Sequence, residues 1–483
     1  MKKRILKMFN DKGILVEPDA IAALVGASDA MECVNAILQD SDRPLVLTKT
    51  DVLNYLSCKP EPGPAQPKAA AAHTTQNPKE RKEPERKVKI LKDVTGDSTC
   101  VGNVIDFAKL FNDRYLSIRK MLQKRRELSG LMSIARAKKT QRDVRFVGIV
   151  NDVRTTKNGH TLLELEDEED KIQTLVMKGS KKGMDLFVKD EVVGVVGSFS
   201  KDGEIVIAKE IIRPDVPMNS GMIPNGSDSL IAFVSDIHVG STEFLPEAWN
   251  RFMAWLNKDP VAKDVRYILM PGDLVDGIGI YPGQEDELMI EDIYAQYTEF
   301  ARLVSMIPDG IKVIAMPGNH DAVRLAEPQP ALPKEVTELF DSRVTFVGNP
   351  CTLEIEGRTI LAYHGRSMDD FIASIRNLTY GNPADIMKEM LRRRHLAPIY
   401  GEKTALAPEQ KDYLVIDTVP NIFVTGHVHA CAVSEYRGIK LINASAWQAQ
   451  TAFQRMHNQT PDPAKVPIVN LGTGETWVED FSA

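Results

Sequence analysis

Two histidines stand two residues apart in "VTGHVHA" (424–430), directly after an apolar run and a glycine. Four earlier segments share the design. "LIAFVSDIH" ends in Asp236 and His238, "VRYILMPGD" in Asp273, "KVIAMPGNHD" in Asn319 and His320, and "TILAYHG" in His364, before His427 and His429 close the series. Each side chain can bind a metal or move a proton. Taken singly, each also passes as turn chemistry, since Asp and Asn form turns by hydrogen-bonding their own backbone. The set is harder to dismiss. Five of the nine histidines fall at these positions, while His73, His160, His395 and His457 lie elsewhere and receive no role.

Carboxylate and amide oxygens combined with four or five imidazoles suit borderline cations such as Mn²⁺, Fe²⁺ or Zn²⁺, and suit Mg²⁺ less well. A shared carboxylate can bridge two such ions about 3.5–4 Å apart, a geometry that clamps a phosphate and activates water. Gly272, Gly318 and Gly426 precede Asp273, Asn319 and His427, where the backbone must turn sharply and approach the ions closely. The spacing of His427 and His429 turns both to one side of an extended segment, so each can complete a different ion site.

Elements must bring these residues together. The five apolar runs read as strands, separated by helical stretches such as Glu285 to Ile307, which predicts an α/β domain over 228–483. In such sheets the carboxyl ends of the strands converge on one crevice. Upstream, "VRFVGIVNDV", "HTLLELED", "KIQTLVM", "DEVVGVVGSFS" and "EIVIAKEII" are five alternating runs within 143–215, with a short helix expected at 179–187. That order is the order of an OB-fold barrel, a fold that binds single strands in many proteins and other proteins in many more. Residues 89–142 read as a basic helical connector, with Ile118, Met121 and Leu122 on its apolar face. From Arg114 to Arg142 it carries ten Lys or Arg against one Glu, a balance of +9. A solvated helix face is the usual meaning of such a run, and a polyanion contact the less common one. Residues 1–57 read as a small helical domain, and the Pro-, Ala- and charge-rich 58–88 as a disordered linker.

Composition excludes some classes. The 483 residues carry a net charge of −7, which argues against a basic nucleic-acid binder over the whole chain. No run approaches the roughly 18 apolar residues of a membrane span, and the basic N-terminus lacks a signal core, so a cytoplasmic protein is expected. The five cysteines are scattered and lack C-x-x-C spacing, which suggests neither a disulfide framework nor a cysteine-based zinc site.

"SDIHVG", "PGDLVD", "PGNHDA", "YHGRS" and "TGHVHA", in that order, resemble the calcineurin-like metallophosphoesterase superfamily. The whole chain, with "LMPGDLVDGIGIYPGQ", "MPGNHDAVRLAEPQPAL" and "ASAWQAQTAFQRM", is similar to the small subunits of archaeal family-D replicative DNA polymerases. The resemblance implies three parts: a small helical N-terminal domain, an OB barrel and a metallophosphoesterase α/β sandwich. It implies that Asp236, His238, Asp273 and His429 hold one ion and Asp273, Asn319, His364 and His427 the other, with Mn²⁺ first and Fe, Zn or Mg as alternatives. His320 would be the general acid, with Asp321 orienting it. The implied activity is a 3′→5′ exonuclease that proofreads single-stranded or mismatched 3′ ends of DNA for a separate, larger polymerising subunit, as a heterodimer or larger assembly at the nucleoid. The N-terminal domain would bind other replication factors. Three other readings compete: a catalytically minor scaffold, a double-strand-break repair nuclease, and a small-molecule phosphodiesterase. More than 220 residues before the phosphoesterase domain argue against the repair nuclease, and the expected barrel argues against the small-molecule enzyme.

Overall fold

The computed structural model describes residues 88–482 apart from 141 and 180–185, together with isolated positions before residue 53. The chain divides into two compact units, Met1–Glu83 and Pro84–Ala483. In the first, Ile5, Ala20, Leu24, Val34, Ile37 and Val52 are helical and buried, and Leu15–Val16 pairs in parallel with Val46–Leu47. The remainder of the helical domain expected over 1–57, the linker expected over 58–88 (save Val88) and most of the helix expected at 179–187 lie outside the described residues.

The second unit opens on a difference from expectation. The connector begins with a strand, β1 (Val88–Lys92), which pairs antiparallel with Cys351–Ile355 more than 250 residues away. Helices α1 (Val104–Leu122) and α2 (Ile134–Thr140) follow. Ile118 and Leu122 of α1 are buried as expected. Much of the basic run serves the fold. Arg114 is fully buried against Asp412, Arg125 donates to the Pro214 carbonyl, Arg119 faces Glu168 and Lys138 pairs with Asp170. Those contacts favour the structural meaning of the run over a polyanion contact.

The five expected strands are present as β2 (Asp143–Thr155), β3 (Thr161–Glu166), β4 (Lys171–Val176), β5 (Val192–Phe199) and β6 (Ile205–Ile212). They close into a barrel in the order β2-β3-β4-β6-β5, with β4 and β6 the parallel pair. Alternation explains the closure: Val144, Phe146, Leu163, Leu165, Val193, Val195 and Val206 point inward and pack together.

Beyond the barrel come β7 (Leu230–Phe233), α3 (Pro246–Lys258), β8 (Val265–Met270), α4 (Ile293–Ser305), β9 (Lys312–Ala315), β10 (Val344–Phe346), β11 (Cys351–Ile355) and β12 (Arg358–Ala362). Then follow α5 (Met368–Ser374), α6 (Pro383–Arg393), β13 (Ile422–Thr425), β14 (Ala432–Tyr436), β15 (Ile439–Asn443), α7 (Ala452–Met456), β16 (Lys465–Asn470) and β17 (Thr476–Asp480). Helix α4 starts later than the expected Glu285, because the Asp292 side chain caps it by accepting from the Ala295 N–H.

The strands form two six-stranded sheets, β10-β9-β8-β7-β16-β17 and β14-β15-β13-β12-β11-β1. Their inner faces meet through Phe233, Leu269 and Ile314 on one side and Leu353, Ile360 and Val424 on the other. Helices α3 and α4 cover the outer face of the first sheet with Trp249, Phe252, Tyr297 and Phe300. Phe371, Met387 and Met390 of α5 and α6 cover the second. Strands covered on both faces must be apolar throughout, which is why the runs ahead of the site residues show no alternation. The barrel is tied to this four-layer body by Glu191, buried between Arg213 (2.9 Å) and Arg393 of α6 (3.1 Å).

Arg114 reaches Asp412 at 2.8 Å, and His395 Nε2 reaches the same carboxylate oxygen at 2.9 Å. The Ala397 N–H donates to His395 Nδ1, so the proton sits on Nε2 and the ring is neutral. Burial, with the Arg114 charge beside it, pushes His395 down to about 4. The unfolded chain therefore takes up a proton near its ordinary 6.5 while the folded chain resists until about 4. Stability drains over that window as pH falls, by about 3 kcal/mol at most. A His395→Gln variant should show a flatter fall in urea midpoint across the same range. Identical slopes in both proteins would refute the assignment.

Candidate metal centre

The carboxyl ends of β7, β8, β9, β12 and β13 converge, as the sequence predicts, and bring Asp236, His238, Asp273, Asn319, His320, His364, His427 and His429 around one cleft of about 590 Å³. Two ligand groups emerge. Asp236, His238 and His429 lie within mutual reach, with Asp273 Oδ2 3.8 Å from His238 Nε2. Asp273, His364 and His427 form the other, with Asn319 Oδ1 3.0 Å from His364 Nε2. Asp273 belongs to both.

The ring tautomers follow from the second partners of the imidazoles. His238 Nδ1 lies 2.9 Å from Asp276 Oδ1, and an ionised carboxylate can only accept, so Nδ1 donates and the lone pair on Nε2 faces the cluster. His364 Nδ1 donates to the Pro271 carbonyl at 2.9 Å, which aims its Nε2 lone pair at Asp273 Oδ2 (3.3 Å) and Asn319 Oδ1. An acceptor nitrogen opposite two acceptor oxygens needs a proton or a cation between them. Burial opposes charge on His364, yet Asp273 and Asp236 win and raise it to about 9. Burial would likewise raise Asp273, but His364 and His320 hold it well below the usual carboxylate range. His427 turns Nε2 to Asp369 at 3.6 Å, and Gln454 meets His429 Nδ1 at 2.9 Å. His238 Nε2 and His429 Nε2 face each other at 3.1 Å.

The backbone is bent to achieve this. Asp236, His238, Asp273, His427 and His429 all adopt left-handed φ values between 50° and 70°. That conformation costs a non-glycine residue roughly 1–2 kcal/mol, and such strain gathers at functional sites. The glycines leave room that no side chain could share. A Cβ on Gly318 would sit 2.2 Å from Asp273 Oδ1, and one on Gly426 would sit 2.4 Å from Asp236 Oδ2. Donor set, converging lone pairs and glycine cradle all fit divalent cations.

His320 stands apart from both groups. Its Nδ1 donates to the Asp276 carbonyl at 2.7 Å, and its Nε2 lies 4.0 Å from Asp273 Oδ2 at the cleft wall. Asp321, expected to orient it, does something else. Its carboxylate accepts from the Gly318 and Leu274 N–H groups and the Tyr297 hydroxyl, bracing the loop beneath Asp273. Burial and the nearby Asp273 charge raise it to about 6. Orientation of His320 comes from Asp276 instead.

Asp276, Asp369, Gln448 and Gln454 are supporting residues that sequence reasoning missed. Gln284 and Gln448 both donate to Asp276, at 2.9 and 3.1 Å. The segment 444–456 is thereby explained in part: Trp447 anchors it against Trp249, while Gln448 and Gln454 reach the cluster's outer partners.

The family model for the B-type subunits of DNA polymerases alpha and epsilon matches residues 231–432, which span the ligands. The chain is 40% identical over 484 residues to the DNA polymerase II small subunit of Methanothermobacter thermautotrophicus, covering 97% of this chain and 98% of that one. It is 45% identical over 394 residues to the DNA polymerase II small subunit of Methanocaldococcus jannaschii, covering 78% and 66%. A solved archaeal phosphodiesterase aligns with 52% of this chain and 98% of its own at 13% identity and a TM-score of 0.27, a likeness too slight to carry an argument.

Proposed function

The chain belongs to the family of archaeal DNA polymerase II small subunits, and from that membership we propose that its cleft is the 3′→5′ proofreading nuclease of the polymerase. A small subunit implies a large catalytic partner. One observation carries the nuclease reading: Asp273 is shared by two buried ligand groups, with His320 beside them. Asp236, His238, Asp273 and His429 would hold one ion, and Asp273, Asn319, His364 and His427 the other. Two divalent ions, Mn²⁺ first and Fe, Zn or Mg as alternatives, supply Lewis acidity and a water nucleophile at neutral pH.

The chain's own residues do the rest. His320, tethered through Nδ1 to Asp276, can present a proton on Nε2 to the leaving 3′ oxygen. The P–O3′ bond breaks as water's oxygen joins phosphorus, so the strand keeps a 3′ hydroxyl and the terminal nucleotide leaves with its 5′ phosphate. Arg366 and Lys403 line the same cleft, where their charge suits the neighbouring phosphates. We read the barrel as an OB fold and the flanking surfaces as docking area for the large subunit. Exposed Val101, Val104 and Ile105 at the start of α1 favour that scaffold role beside catalysis. Among the described residues no helix is long and apolar enough to cross a membrane.

The test is a 3′-mismatched primer–template given to the full chain, alone and with its large subunit, in Mn²⁺ and in EDTA. Stepwise shortening from the 3′ end in Mn²⁺, faster at mismatched ends, is expected. Intact DNA under every metal and partner condition overturns the nuclease and leaves the scaffold.

A further inference from the structure

The metal ligands and His320 account for the floor of the cleft but not for the aromatic side chains at its wall. Phe453 of α7 is 44% exposed. Tyr281 lies against it with ring centroids 5.7 Å apart and planes at 33°, and His457 lies at 4.2 Å and 35°. Both neighbours are fixed. The Tyr281 hydroxyl donates to Glu287 at 3.1 Å, and His457 Nδ1 donates to the Phe453 carbonyl at 2.9 Å. All three rings line the cavity that holds His238, Asp273 and His320, together with Arg366 and Lys403. Gln454, adjacent to Phe453, reaches His429, so a single short helix touches both the cluster and the ledge.

An aromatic ring left in water beside a charged cleft contributes little to the fold and offers a flat apolar face to a ligand. Cations on the same cleft suit a polyanion. A ligand that is anionic along its length and carries flat apolar faces at intervals is a single-stranded nucleic acid. We propose that Tyr281, Phe453 and His457 form a stacking ledge for unpaired bases next to the phosphodiester at the cluster. This rests on the nuclease reading and deepens it. Bases inside a duplex keep their faces stacked on one another, so a ledge of this kind selects ends that have already frayed, as a mismatched terminus does.

Affinity separates the ledge from the chemistry. A 5′-fluorescein oligothymidine and its twin with abasic 3′-terminal residues would be titrated with the full chain, with Ca²⁺ in place of Mn²⁺, and followed by anisotropy. The intact strand should bind tighter by about tenfold or more, the change expected of one or two base–aromatic stacks. Phe453→Leu, which keeps an apolar side chain at that position, should bring the ratio near one, and Phe453→Trp should restore it. A purely structural Phe453 would weaken both strands alike and leave the ratio unmoved. That result, or equal binding of both strands by the unaltered chain, overturns the ledge. A preserved ratio in a protein that never shortens DNA supports the ledge while removing the nuclease.

Discussion

Replacing His320 with asparagine should lower the rate of 3′-terminal cleavage by roughly 10²–10⁴-fold, the usual contribution of a general acid or base. Metal content should hold at the unaltered level. The two halves of this expectation come from different atoms. His320 contributes its backbone N–H to Asp273 Oδ1 at 2.9 Å, and asparagine keeps that bond. The ring's Nδ1 is committed to the Asp276 carbonyl and its Nε2 stands 4.0 Å from the shared carboxylate, beyond the distance of a direct hydrogen bond. The ring is therefore placed to serve a substrate atom. A leaving-group comparison isolates that role. A natural 3′ oxygen needs a proton as it departs, whereas a nitrophenolate does not. Cleavage of a thymidine nitrophenyl phosphodiester should suffer far less than cleavage of DNA. Equal losses on both substrates would assign His320 to ground-state positioning and sink the general-acid role.

The ligands were legible in the sequence because they sit at a fixed place in a repeated unit, the carboxyl end of a buried strand. Their partners were not. Asp276 follows Asp273 by three residues in "PGDLVD" and carries no periodic signal, yet it fixes the rings of both His238 and His320. Asp369 and Gln454 arrive from helices that only the folded chain brings close. Asp321 shows the opposite error. Adjacency to His320 suggested contact, but the loop turns and gives the carboxylate to N–H groups at Gly318 and Leu274. Strand β1 was hidden for a third reason. "VKILK" follows a long charged stretch and pairs only through a remote edge, so nothing local marks it as strand. Local patterning shows which elements form. Which loop atom meets which ring is decided by long-range closure, and that leaves no spacing to read.

Asp273→Asn should abolish Mn²⁺ binding at both positions, whereas Asp236→Asn should spare one. The asymmetry is geometric. Asp236 belongs to the His238–His429 group, with His429 Nε2 3.4 Å from its Oδ1. Asp273 Oδ2 lies 3.3 Å from His364 Nε2 and 3.8 Å from His238 Nε2, so one oxygen serves both groups. Asparagine is nearly the same shape but removes a full negative charge from a buried setting, where charge is weakly screened. Its NH₂ would also point a donor where a cation must sit. Ligand-linked stability makes the difference measurable without any activity. A single site saturated at a hundred times its Kd stabilises the fold by about 2.7 kcal/mol. The unaltered chain should show the Mn²⁺-dependent rise in Tm of two sites, Asp236→Asn that of one, and Asp273→Asn close to none. Metal analysis after gel filtration should follow the same order. Two ions retained by Asp273→Asn would mean that the carboxylate bridges nothing, and the cluster would then have to be two independent sites that merely lie side by side.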